Sequence, residues 1–169
     1  MAAVDEARAQ LIAALAAWDY SSAYPNAYTD PKAPIIVPAS PPDILANITT
    51  YRRDQQTSAI LSVALLDISD TFRTLGDHLG PGAGQLQRYG TRVDLAFTVI
   101  AWADQQAGGP DLCQKLAGQV EGCVFYNRAR LLSYRHLRSR GGHETYEDRP
   151  GLWTCDVTVI GDGVASYDA

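Results

Sequence analysis

The sequence predicts an α+β fold: a mainly antiparallel sheet of about four to five strands, flanked by two principal helices, with a long Pro/Tyr-rich loop. Three observations predict it. Segments 4–18 and 110–126 repeat apolar residues at helical spacing, whereas 58–69, 91–103 and 152–161 alternate at period two. The order of elements is helix, long loop, strand, strand, helix, strand, strand, which suits helices carried on one face of an antiparallel sheet.

The first helix, "VDEARAQLIAALAAW", is built from strong helix formers, and Asp5 and Glu6 favour its N-terminal dipole. Leu11, Leu15 and Trp18 give it one apolar face. Residues 19–57 then change character. They hold six of the nine prolines, which argues against regular helix, and Pro34 and Pro38 bracket an apolar "IIV" that reads as a short edge strand. Loops of this length are functional or unstructured, and Tyr24 and Tyr28 suit either contact with another surface or a loop wrapped on its own domain.

Strand 58–69 is apolar on both alternating sets, so both of its faces are expected to be covered. The Gly-rich stretch "FRTLGDHLGPGAGQLQRYG" is aperiodic and reads as a loop between strands. In the next strand Val93, Leu95, Phe97 and Val99 share one face, while Asp94, Ala96, Thr98, Ile100 and Trp102 share the other. Pro110 and Asp111 open the second helix, Leu112, Leu116 and Val120 form its stripe, and Asn127 caps its end. Residues 129–140 are extended and 141–151 form a polar turn. The last strand puts Trp153, Cys155, Val157 and Val159 inward, with Thr154, Asp156 and Thr158 outward.

A length of 169 residues fits a single domain, 1–169, with 19–57 as an extended arm. A chain of this size buries roughly 70% of its unfolded surface and needs no staple. The net charge of −5 argues against non-specific binding to DNA or anionic membranes. Cys113, Cys123 and Cys155 are odd in number and form no C-x-x-C pair, so neither a disulfide framework nor a zinc site is expected, and a reducing compartment is. The apolar run 7–18 lacks the basic start and the length of a signal peptide or membrane span, which points to a cytosolic product with no membrane partner.

Candidate chemistry is sparse. The "ADQQAGGPDL" corner has no phosphate-loop Lys, Pro110 removes an N–H donor, and Asp111 places negative charge where an anion would sit. The glycines around His78 serve a connection. His136 and His143 flank a turn close to Glu144, Glu147 and Asp148, which could gather a metal only if the hairpin folded tightly. No catalytic residues and no cofactor are assigned. The basic segment is more informative. Arg128, Arg130, Arg135, Arg138, Arg140 and Arg149 make 128–149 locally positive within an acidic chain. Such a segment can be a solvated strand face, contact phosphates, or meet the next protomer's acidic surface, and in the last case a head-to-tail contact that closes makes a ring. The candidate interface residues are therefore Arg130, Arg135, Arg138, Arg140 and Arg149, with Tyr24 and Tyr28 on the arm.

The opening "LIAAL", the Pro-bracketed "PIIV", the strand pair "SAILSVALLDI" and "VDLAFTVIAWA", then "DLCQKLAGQVEGC", "LLSYRHLRS" and "LWTCDVTVIG" keep one order of elements. In this order, and in the strand-ending Trp102-Ala103 that leads into the second helix, the chain resembles the tail terminator (tail completion, head–tail joining) proteins of long-tailed bacteriophages. The resemblance covers most of the chain. It departs at the Pro/Tyr-rich segment before Ser58 and the Gly-rich loop 76–84.

The resemblance implies a non-enzymatic virion protein, assembled in the host cytoplasm, that forms a homo-hexameric ring. The ring's partners would be the tail tube protein and a head-closure (stopper) protein, with DNA passing through the lumen unread. The alternatives are another neck or tail component, such as a head-closure protein or tail tube subunit, and a small metal-dependent hydrolase using His136, His143 and Glu144.

Overall fold

The structure, a computed structural model, describes residues 2–23, 34–40, 42–47, 59–70, 77–104, 109–127, 136–139, 143–144 and 151–168. In chain order the elements are α1 (Ala2–Ala16), a 3-10 turn at Ser21–Ala23, β1 (Ile35–Val37), α2 (42–47), β2 (Ala59–Asp70), β3 (Asp77–Pro81), β4 (Gln87–Asp104), α3 (Gly109–Asn127), β5 (His136–Ser139), β6 (His143–Glu144) and β7 (Leu152–Asp168). The architecture is α+β, as the periodicities predict. One sheet runs in the order β1-β2-β4-β7-β5, with β3 added to β4 and β6 to β7. All pairs are antiparallel except β1 with β2.

Strands β4 and β7 form the spine. They pair without a register shift from Arg88↔Asp168 to Asp104↔Leu152. Their alternation puts Leu95, Phe97, Val99, Ala101, Cys155, Val157 and Val159 on one face, where they share a core with Leu11 and Leu15 of α1 and Leu112, Leu116 and Val120 of α3. The expected helix stripes and inward strand residues are thus the ones that pack. On the other face Ile60, Ile100, Trp102 and Leu152 form a second core with Val37 of β1 and Ile44 of α2. Strand β2 is buried on both faces across Ala59–Val63, as its doubly apolar pattern requires.

Several expectations need correction. The proline-rich arm contains a helix after all. Ser40 is its N-cap, since its carbonyl accepts the Ile44 N–H at 3.1 Å and its hydroxyl donates to the Asp43 carboxylate at 2.5 Å. Pro42 occupies the first turn, where no intrahelical N–H is needed, so proline there starts a helix rather than forbidding one. Ile44 anchors it at 0% exposure.

The Gly-rich stretch is a hairpin rather than a plain loop. Strands β3 and β4 pair through His78↔Tyr89, with a register shift between His78 and Gly80. Gly80 and Gly84 take positive φ values of 114° and 64° there, a conformation that favours glycine. The Gly82 N–H donates to the Leu86 carbonyl at 3.0 Å and closes the turn. The bulge breaks the period-two pattern, which is why the sequence reads as aperiodic. Thr154, placed outward from its alternation, is 2% exposed, because its outward face is the second core's face. Finally, β7 continues past Gly161 to Asp168.

The spine is longer than the helices. At about 3.3 Å per residue, β4 and β7 each run roughly 55–60 Å, whereas α3 measures about 28 Å. The start of α3 is pinned near the Asp104/Leu152 end of the sheet: the Cys113 thiol donates to the Trp153 carbonyl at 3.1 Å and lies 3.6 Å from that of Ala101. From Cys113 to Asn127 the helix advances about 21 Å, so even when laid along the strands it ends level with Leu95. Residues 87–94 and 161–168, with β3 and the last residues of β2, therefore overrun α3.

Candidate interaction surfaces

Of the residues singled out by charge and aromaticity, Tyr24, Tyr28, Arg130, Arg135, Arg140 and Arg149 lie outside the described residues. Arg138 sits on β5, opposite Thr158, on the strand at the sheet's outer edge. The two histidines do not face each other across a hairpin. His136 is opposite Ile160 and His143 opposite Thr154, both along the same edge of β7. Six residues of strand separate those positions, about 20 Å. Two imidazoles that each bind an ion at about 2.0–2.1 Å cannot span that distance. His136 and His143 therefore share no metal, and the hydrolase built on them with Glu144 loses its site.

The three cysteines are free and buried. Burial pushes the Cys113 thiol up to about 12, with the neighbouring Cys155 adding to the effect. It pushes Cys123 up to about 11 against a hydrogen bond from Asn127. Cys155 is raised as well, by burial first and then by Asp156 and Glu121. A nucleophilic cysteine needs the reverse, a lowered pKa and access to solvent. These thiols are core residues that also tie the layers together: the Cys123 thiol donates to the Ala14 carbonyl of α1 at 3.4 Å.

The junction of α1 and α3 carries a surface that the sequence reading passed over. Beyond the end of α1, the half-buried Trp18 donates its indole N–H to the Gln119 side-chain oxygen at 2.9 Å. Its ring lies 5.9 Å from that of Tyr126, tilted by 56°. The Tyr20 hydroxyl donates to the Leu15 carbonyl at 2.7 Å, and the Asn127 amide caps α3 by donating to the Cys123 carbonyl at 2.8 Å. On this fastened end Phe125 is 63% and Tyr126 76% exposed. The helix turns about 100° per residue, so both leave the buried stripe that ends at Val124. A helical wheel drawn from Leu112 would have placed two aromatics off the core face. Large aromatics held in one position on the surface are the usual anchors of protein–protein contacts.

No protein-family model matches the chain, and no curated protein is significantly similar to it.

Proposed function

We propose that the chain is a structural virion protein that forms a ring capping the tail tube of a long-tailed bacteriophage, ending tube polymerisation and joining the tail to the head connector. The observation that carries this reading is the exposed pair Phe125–Tyr126 on a hydrogen-bonded helix junction. Such a surface serves recognition of another folded surface. The sequence likeness to tail terminators supplies the kind of assembly, a homo-hexamer with tube protein on one side and a head-closure protein on the other. Function in this reading is geometry: complementary surfaces between copies, one ring face that fits the end of a tube, and a lumen through which DNA passes without being read.

The test is a light-scattering mass for the purified chain, alone and mixed with tube protein. A ring-sized mass, or one that appears when tube protein is added, is the expected result. A strict monomer indifferent to tube protein would overturn the proposal.

A further inference from the structure

Among the described residues three large hydrophobic side chains are exposed: Leu86 at 48%, Phe125 at 63% and Tyr126 at 76%. They belong to two separate surfaces. Leu86 lies in the turn between β3 and β4, where Pro81 and all of 83–87 are exposed. Two hydrogen bonds fix the shape of that turn, from the Gly82 N–H to the Leu86 carbonyl at 3.0 Å and from the Leu86 N–H to the Ala83 carbonyl at 3.2 Å. Phe125 and Tyr126 stand at the end of α3, which the Trp18 indole fastens through Gln119 and the Tyr126 ring. Helix α3 reaches no further along the sheet than Leu95. From Leu95 back to Leu86 the chain runs about 30 Å in extended conformation, so the two surfaces of one copy lie well apart.

We infer that the Leu86 turn of one copy docks on the Phe125–Tyr126 surface of a second copy, head to tail. The inference rests on the ring reading for the kind of assembly, and deepens it by naming the two elements that meet. Three features favour a second copy as the occupant. A head-to-tail contact needs two different surfaces on one chain, each unable to cover the other at home, and this chain carries such a pair. Each copy has a net charge of −5, yet the turn has no charged residue from Leu79 to Gln87, so it approaches another copy without repulsion. Glu121 and Asp19, next to the aromatic surface in the chain, therefore do not oppose it. The sizes also agree with a ring. Phe125 and Tyr126 expose roughly 200–350 Å², enough to mark an interaction site but under half of the ~800 Å² per partner of a standard interface. Closure, in which every copy gives a turn and receives one, adds the contacts that a single docking lacks.

The test uses the full chain with Leu86→Glu and, separately, Phe125→Glu, each of which places a carboxylate in the contact. Gln10→Glu adds the same charge on the exposed side of α1 and is the control. Association is followed by sedimentation over a concentration series, and thermal melting checks that these exposed substitutions leave the fold in place. The two contact variants should each raise the association midpoint on the order of a hundredfold, and the control no more than about threefold. Variants that assemble like the unaltered chain, or a control that falls as far as they do, would overturn this inference while leaving the ring reading intact.

A pairing experiment identifies the two elements directly. Copies carrying Leu86→Cys and copies carrying Tyr126→Cys are assembled together and treated with a short bismaleimide, the native thiols being buried. Joined dimers of one copy of each kind should dominate over those formed by either variant alone. Equal joining within each variant would indicate a contact between like surfaces and overturn the head-to-tail pairing, as would no joining in an assembled sample. A parent chain that stays monomeric alone and with tube protein removes the ring reading and this contact together. Capture of a monomer by tube protein that Phe125→Glu abolishes and Leu86→Glu does not would assign the aromatic surface to that partner and overturn the second copy.

Discussion

Ser62→Ala isolates the interaction on which the second core depends. Trp102 is 2% exposed and donates its indole N–H to the Ser62 hydroxyl at 2.8 Å, with Ser62 itself 1% exposed. The two sit diagonally across β2 and β4, since Ser62 is opposite Ile100 and Trp102 opposite Ile60. Removing the hydroxyl leaves a buried donor without its acceptor, which costs about 1–3 kcal/mol. For a chain of this size each kcal/mol shifts Tm by about 2–4 °C, so a fall of roughly 2–12 °C is expected. Trp102→Phe removes the donor and also costs packing. Combined with Ser62→Ala, it should cost less than the sum of the two by about 1 kcal/mol, because neither partner is then left orphaned. Urea unfolding followed by far-UV circular dichroism measures the cycle without relying on the lost indole. A Ser62→Ala change within about 0.5 kcal/mol of the parent, or a strictly additive cycle, would refute the reasoning.

The other predictions concern the arm helix, the thiols and the exposed aromatics. Ile44→Ala should destabilise by about 2–5 kcal/mol and Ser40→Ala by about 1 kcal/mol in urea titrations, since one empties the second core and the other removes the cap of α2. The three thiols should resist a disulfide reagent at pH 8 in the folded chain and all react after unfolding. Their folded pKa values lie above the ordinary value of 9.0, so their contribution is complete below pH 9 and is lost as pH rises toward about 11 and 12. Melting temperature should fall through that alkaline window, and Cys123→Ala should make the fall shallower. Tyr126→Ser should cost no more than about 0.5–1.5 kcal/mol of stability, the worth of its ring pair with Trp18, yet weaken association measured by sedimentation.

Legibility of the candidate surfaces was uneven for a physical reason. Composition drew attention to the arginines of 128–149, of which Arg138 alone falls on a described strand, at the sheet edge. It passed over Phe125 and Tyr126, whose exposure follows from the helical angle beyond Val124 and was open to the same wheel that identified the stripe. The pairing of His136 with His143 rested on closeness in sequence. Only the strand register reveals that seven residues of chain carry them about 20 Å apart.

By itself the sequence determined the elements whose signal is local. The apolar stripes of α1 and α3, the cap at Asn127, the proline-bracketed β1 and the two faces of β2 and β4 all follow from backbone periodicity, which a short window contains. Tertiary structure decided whatever depends on a layer supplied from elsewhere in the chain. Thr154 is buried on the face of the sheet that carries the second core, and α2 holds its place because Ile44 joins Ile60, Ile100 and Trp102 there. The Gly-rich segment becomes a strand because β4 is there to pair with it across a bulge. Register and cover are relations between distant segments, and no local pattern encodes where a helix will stop short of the strands beneath it.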